Sequence, residues 1–175
     1  MSITKLNNLS VSALTALPSG VGGKVLQVVS TAKTDTFTSS TTGSFIDITG
    51  LSLSITPSSA SNKILVLANV MGSGVSAVNN VLFKMVRNST DINVGASSGS
   101  RTPCFSVGQD SGDSNQSANN SGSFLDSPNT TSAITYKIQA LSNAATMYIN
   151  RTPNDGDANY SPRGCSTITA IEIAP

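Results

Sequence analysis

The stretch LSLSITPSSASNKILVLANVM, residues 51–71, combines two strand patterns around one turn. Residues 51–56 alternate leucine or isoleucine with polar residues, which is typical of a β-strand with one wetted face. Residues 57–62, PSSASN, predict a turn because proline, serine and asparagine favour turn conformations. Residues 63–71, KILVLANVM, are apolar at successive positions, so this segment predicts a central strand buried on both sides.

Further strand patterns extend from this stretch in both directions. Segments rich in β-branched residues recur every 8–12 residues or so with turn residues between them, as in β-sandwiches and jelly rolls. Residues 134–141 and 146–152 predict a hairpin, and the polar stretches 109–123 and 153–164 predict long surface loops. The remaining predicted strands are 24–30, 34–38, 44–48, 80–89, 92–96, 101–107, 123–128 and 166–174. The chain is therefore expected to be all-β, an antiparallel β-sandwich or jelly roll of about ten strands.

The first twenty-two residues differ from this pattern. Six apolar residues lie there in two trios, each with a spacing of three residues: Ile3, Leu6, Leu9, Val11, Leu14 and Leu17. So short a segment cannot bury them within itself, so they must meet the domain, a sister subunit or a docking partner. Because proline and glycines then separate the segment from the rest, we expect residues 1–22 to be an attachment or assembly arm and residues 23–175 a β-sandwich domain.

The residues that perform most enzyme chemistry are scarce. The chain has no histidine and no tryptophan, and its single glutamate is Glu172, whereas serine, threonine and asparagine together number 65. General acid–base chemistry near neutral pH favours histidine or a tuned glutamate, and a nucleophilic serine needs a base beside it. We therefore expect a protein that is not an enzyme and that needs no cofactor.

Charge is equally sparse. Charged residues make up 11% of the chain and the net charge is +1, with no basic cluster, so nucleic-acid binding is not expected. No run of about 18 apolar residues occurs, so no membrane span is expected either. Cys104 and Cys165 fall in predicted strands and are expected to be buried free thiols, although a disulfide between them stays open.

Two candidate binding sites use residues in or next to the loop 153–164. Asp155, Asp157 and Asn159 have the spacing that opens a calcium loop, but the EF-hand positions for glycine and glutamate hold Tyr160 and Ser166. This trio is therefore a weak calcium candidate, and a solvated turn is the alternative. A second candidate site uses Tyr148, Tyr160 and Arg163 as glycan contacts; such residues also commonly pack at loop bases and subunit contacts.

Several blocks resemble a known class of proteins. GKVLQVV at 23–29, TGLSLSITPSSASNKILV at 49–66, FLDSPNTTSAITYKIQAL at 124–141 and STITAIEIA at 166–174 resemble small virion proteins of tailed bacteriophages, commonly described as tail-fibre-like or structural. The resemblance covers about residues 23–175 and leaves the arm outside it. It implies a homotrimeric virion component and carries no catalytic residue with it.

The expected function is accordingly a non-enzymatic structural protein on the virion surface. It would be a short fibre-like trimer that binds other virion proteins of the tail, neck or capsid through residues 1–22. The loops 109–123 and 153–164 would face outward and could meet a host cell-surface glycan. Two alternatives remain open: a capsid decoration (cement) protein that stabilises the head, and a free carbohydrate-binding module.

Overall fold

The computed structural model describes residues 24–74, 80–108 and 113–175. This part of the chain forms eleven β-strands and no helix, arranged as two antiparallel sheets, so the predicted all-β sandwich is confirmed. The strands are β1 Val25–Lys33, β2 Phe37–Ser39, β3 Ile46–Ile55, β4 Lys63–Gly74, β5 Val81–Arg87, β6 Thr90–Ile92, β7 Ser106–Gly108, β8 Ala118–Asp126, β9 Ile134–Ser142, β10 Met147–Ile149 and β11 Ser166–Ile173.

One sheet has six strands in the order β1-β11-β4-β10-β2, with β8 paired to β4. The other has five strands in the order β3-β9-β5-β6, with β7 paired to β5. The core lies between them and is filled by alternate residues of each strand, among them Phe83, Tyr136 and Ile168. Each such large side chain contributes about 1.5–3 kcal/mol by leaving water, which explains why period-two patterns dominate the sequence.

Strand β4 is central in its sheet, as predicted, but its predicted burial on both sides is wrong. Ile64 and Val66 are buried against the second sheet. Leu65 is only half-buried and Leu67 is 38% exposed, because their side of the sheet has no layer packed on it within the described residues. The doubly apolar pattern therefore includes an outer row of leucines that no other described residues cover.

The predicted loop 109–123 is wrong from residue 118 onward. Strand β8 pairs with β4 along its whole length, from Ala118 opposite Gly72 to Asp126 opposite Ile64. Backbone pairing needs no apolar side chain, and small residues suit this place because a Cβ at Gly122 would come within 2.7 Å of the Phe105 ring. The polar composition of this segment therefore gives no sign of β8, which lies at the edge of the sheet.

The predicted hairpin between 134–141 and 146–152 is also wrong. Strand β9 pairs with β3 and β5, whereas β10 pairs with β2 and β4, so the chain crosses from one sheet to the other between them. Strands β5 and β6 form a hairpin, with Asn88 at a φ of 53° in its turn. The segments 44–48 and 51–56 form one strand, β3, with a bulge where Gly50 has a φ of 83°.

The chain enters and leaves the sandwich at the same end. Ala174 donates its backbone N–H to the carbonyl of Lys24 at 2.9 Å, just beyond the last residues of β11. The loop 153–164 precedes β11 and therefore lies at the opposite end of that strand, about 26 Å away. The predicted arm, residues 1–22, lies outside the described residues.

Candidate interaction surfaces

The single glutamate is a buried structural anchor. Glu172 accepts hydrogen bonds from the backbone N–H and hydroxyl of Ser58 at 2.7 and 2.8 Å, from Asn62 Nδ2 at 2.5 Å and from Gln27 Nε2 at 2.6 Å. Burial raises the pKa of Glu172, but these hydrogen bonds outweigh burial and lower it to about 2. The carboxylate thus ties β1 and the β3–β4 turn to β11.

A second buried network joins the two sheets. Arg87 on β5 donates from Nη1 to both carboxylate oxygens of Asp126 at 2.8 and 2.9 Å. The hydroxyl of Tyr136 on β9 donates to the same carboxylate at 2.6 Å. Burial and the neighbouring Asp126 carboxylate raise the pKa of Tyr136, so this hydroxyl stays protonated and acts as a donor. Asp126 therefore holds the end of β8 against the five-stranded sheet.

Most other acidic side chains in the described ranges are paired with cations. Ion pairs join Lys33 to Asp35, Lys84 to Asp91 and Lys137 to Asp47, at 2.8, 2.9 and 2.8 Å. Lys137 and Gln139 both donate to Asp47 and hold the pKa of that carboxyl below its usual range. The Lys84–Asp91 and Lys137–Asp47 pairs each join two neighbouring strands, whereas Asp35 lies only two residues after Lys33.

The loop 153–164 is organised by one carboxylate between two arginines. Arg163 donates from Nε and Nη2 to the two oxygens of Asp155 at 3.1 and 2.7 Å, and Arg151 Nη1 lies 3.2 Å from the same group. These contacts, above all the hydrogen bonds from Arg163, lower the pKa of Asp155. The Arg151 guanidinium also stacks over the Tyr148 ring at 4.6 Å. Tyr148 and Arg163 are thus joined through Arg151 and Asp155.

Beside this cluster lies an open hollow of about 390 Å³. Asp155, Asp157, Ser161 and Arg163 are among the residues that line it. The Ser161 hydroxyl oxygen is buried and has no hydrogen-bond partner among the described residues. Next along the chain, Tyr160 is 60% exposed. Of the predicted glycan residues, Arg163 lines the hollow, Tyr160 is exposed in the same loop, and half-buried Tyr148 lies on β10 and is joined to them through Arg151.

The same geometry bears on the calcium candidate. Asp155 already gives both oxygens to guanidinium groups, so a calcium ion would have to displace two arginines to reach it. No group of three or more His, Cys, Asp or Glu side chains within 24–74, 80–108 and 113–175 is arranged to hold a metal. The trio Asp155, Asp157 and Asn159 stays a prediction, and its first member is occupied by other contacts.

The two predicted surface loops meet at this end of the sandwich. Asn154 donates its backbone N–H to the Ser114 carbonyl at 2.8 Å and its side-chain amide to Asn115 Oδ1 at 3.0 Å. The base of loop 153–164 is fixed by buried Asn150, which donates to the carbonyls of Lys33 and Asp35. Loop 153–164 and the described residues of loop 109–123 therefore form one polar surface opposite the chain ends.

The outer side of β1, β11, β4 and β8 forms a second surface, here named the apolar face. The strand register places one row of four apolar residues straight across it: Val28, Ile171, Leu65 and Leu125. Val28 is 58% exposed and Leu125 is 48% exposed. The next row carries Ser30, Thr169, Leu67 and Ser123, and Lys63 is the only charged outward residue of these four strands.

The outer side of the five-stranded sheet, here named the charged face, is different. It carries the Lys137–Asp47 and Lys84–Asp91 ion pairs, and Lys84 also lies 4.4 Å from the centre of the Phe45 ring. This face also carries a short apolar row, Val107, Leu82 and Leu141, in which Val107 is 46% exposed and Leu141 is buried. The ion pairs suit contact with water.

The cysteines are free thiols, but neither lies in a strand as predicted. Cys104 precedes β7 and is half-buried, and burial raises the pKa of its thiol. Cys165 directly precedes β11 and is exposed. The predicted strand 101–107 began five residues before β7, whereas the predicted strand 166–174 begins with β11 and Cys165 lies just outside both. No helix in the described ranges is long and apolar enough to cross a membrane.

Sequence reasoning missed Arg151 and the apolar face. The sequence does contain a signal for the contact of Arg151 with Asp155, because the two residues are four positions apart in a region with few other charges. The KILVLANVM segment carries the signal for the apolar face, because its residues Leu65 and Leu67 point outward from the sheet. The docking residues Ile3, Leu6, Leu9, Val11, Leu14 and Leu17 fall outside the described ranges and stay a prediction.

No protein-family model and no curated protein matches the chain. Among solved structures, it is similar to a chain in a structure of infectious bursal disease virus strain Gx, with 13% sequence identity and a TM-score of 0.39. The match covers 87% of this chain and 37% of that chain. At this TM-score the likeness assigns neither a family nor a function.

Proposed function

We propose that this protein is a non-enzymatic structural component on the exterior of a tailed-phage virion, a short fibre-like homotrimer anchored by residues 1–22. The observation that carries the proposal is the difference between the two ends of the sandwich. The chain enters at Lys24 at one end of β11, and the polar surface around Asp155 lies at the other. A protein held by its N-terminus would therefore present its loops outward.

The contacts made by the acidic side chains support a structural role. Glu172 and Asp126 are buried in hydrogen-bond networks that join strands, and Asp47 and Asp155 are paired with cations. The sequence resemblance over residues 23–175 points to the same class of protein. The placement of the chain entry and the loop surface at opposite ends favours a fibre-like component over a decoration protein, since a cement protein has no need of an outward loop surface.

The loop surface supports a second role for the same molecule, which is contact with a host glycan. Tyr160 offers an exposed ring, and Arg163, Asp157 and the unpartnered Ser161 hydroxyl surround the hollow. Aromatic rings pack on the apolar faces of sugars, and such polar groups bind hydroxyls. Tyr160→Ala should then abolish binding to host polysaccharide and leave incorporation into the virion intact.

Deletion of residues 1–22 tests the anchoring role. The shortened chain should fold and assemble as the full chain does, but it should fail to bind virions that lack the protein. If the shortened chain does not fold, residues 1–22 belong to the core of the domain. If it binds such virions normally, attachment uses another surface.

The non-enzymatic assignment has its own test. Full-length protein should release no sugar from purified host polysaccharide. Release that stops on an Asp→Asn substitution such as Asp157→Asn would overturn the assignment and make the protein a depolymerase.

A further inference from the structure

We infer that the apolar face is the contact surface between three copies of this chain, packed around a three-fold axis that runs along the strands. The inference rests on the proposed homotrimer and adds the surface that forms it. Its starting observation is the row Val28, Ile171, Leu65 and Leu125, which crosses all four strands on a side where the described residues place no second layer.

The chemistry of the face fits a copy of itself. Apart from Lys63, its outward positions are apolar or carry neutral serine, threonine or asparagine side chains. A partner with charges would leave those charges without a counterpart here, whereas a second identical face brings only groups of the same kind. Association also places the exposed Val28 and Leu125 out of water, which is the main favourable term in such contacts.

The size of the face also suits another copy. Four strands about 4.8 Å apart and about 26 Å long give roughly 500 Å² of face per copy, so three copies bury about 1,500 Å² in total, divided among three contacts. Each contact alone is smaller than a stable two-partner interface, so the three copies must associate together. A single extended peptide covers a strip only about 5 Å wide, the spacing of one strand, so it would leave most of the face in water.

The width of the face allows three copies. Edge strands of neighbouring copies must stay about 4.8 Å apart, so three faces close into a triangular prism about 24 Å on a side, in which every sheet lies about 7 Å from the axis. Packed sheets are about 10 Å apart, so each sheet supplies about 5 Å of side chain. Side chains of the middle strands would therefore come within about 2 Å of the axis and leave only a narrow gap there.

The prism assigns a place to each residue of the row. Ile171 and Leu65 belong to the two middle strands, β11 and β4, and come nearest to the axis. Val28 on β1 and Leu125 on β8 lie at the two sides of the face, so Val28 of one copy meets Leu125 of the next. All three chain entries at Lys24 then emerge at one end of the prism, and all three loop surfaces lie at the other.

Disulfide trapping tests this arrangement in the full-length chain. The variant carries Val28→Cys and Leu125→Cys in a Cys104→Ser, Cys165→Ser background. Within one copy the two positions are about 14 Å apart across three strand spacings, too far for a disulfide. Oxidation should give a covalent trimer on a non-reducing gel, and each single-cysteine variant should stay monomeric there. Covalent dimers with no trimer would overturn the three-fold arrangement.

A matched pair of charge substitutions supplies the second measurement. Val28→Glu should lower the molar mass in solution from three chains to one, while Val107→Glu, at a similarly exposed valine on the charged face, should leave the trimer intact. Loss of the trimer in Val107→Glu alone would overturn the inference. A wild-type trimer that neither substitution changes would also overturn it, but would leave the proposed homotrimer standing. A monomeric wild-type protein would overturn both the trimer and its surface.

Discussion

The two sheets of this sandwich differ in where their charged side chains lie. The six-stranded sheet holds its glutamate inside, where Glu172 accepts four hydrogen bonds, and leaves its outer side almost free of charge. The five-stranded sheet places ion pairs such as Lys137–Asp47 on its outer side. Ion pairs tolerate water better than apolar rows do, so this difference is the one that the inferred contact between copies requires.

The largest expected effect concerns the charge inside the six-stranded sheet. The pKa of Glu172 is about 2 in the folded chain and about 4.5 when unfolded, so the ionised carboxylate stabilises the fold above pH 4.5. That contribution, about 3 kcal/mol, should be lost as the pH falls from 4.5 to 2. Urea unfolding of wild type and Glu172→Gln at a fixed chain concentration measures it.

The Glu172→Gln variant should lose much less stability than the wild type across that pH interval. At pH 7 it should be the less stable protein, because a side-chain amide replaces one acceptor oxygen with a donor that faces Asn62 and Ser58. Parallel pH profiles for the two proteins would show that Glu172 is not the group responsible.

A smaller effect is expected where the two sheets are joined. Tyr136→Phe removes the hydroxyl that donates to buried Asp126, while Arg87 still holds that carboxylate. The free energy of unfolding should fall by about 2 kcal/mol, as for other hydrogen bonds to charged groups. Tyr160→Phe, at an exposed tyrosine, is the matched control and should change nothing measurable; equal effects of the two substitutions would contradict the account.

The smallest effect is expected on the charged face. Asp47→Asn breaks the ion pair with Lys137, which is exposed and screened by water, so the free energy of unfolding should change by less than about 1 kcal/mol. The molar mass in solution should not change. A dissociated Asp47→Asn protein would place the subunit contact on the charged face and reverse the comparison between the sheets.

The sequence predicts the fold class well because period-two patterns record burial directly. Strand β11 alternates inward and outward residues without interruption, and the pattern STITAIEIA shows it. Strand β8 escaped because its polar and small residues are held by backbone pairing with β4 and by the ring of Phe105 over Gly122. Local composition carries no record of such contacts.

The sites are harder to predict for a related reason. The apolar pattern of β4 gives the same signal whether a second layer comes from the same chain or from another copy, so Leu65 and Leu67 read as buried core. Likewise, Asp155 had the spacing of a calcium ligand, but Arg151 and Arg163 occupy it in three dimensions. Only the fold shows which charges meet.

The central claim is that the apolar face is covered by other copies of the chain and the charged face is not. Leu125 and Val107 allow a direct comparison, since their exposures in the single subunit are 48% and 46%. Leu125→Cys and Val107→Cys, each in the Cys104→Ser, Cys165→Ser background, are labelled with a maleimide. We expect Cys at position 107 to react quickly and Cys at position 125 to react at least tenfold more slowly. Equal rates at the two positions in the native full-length protein would contradict it.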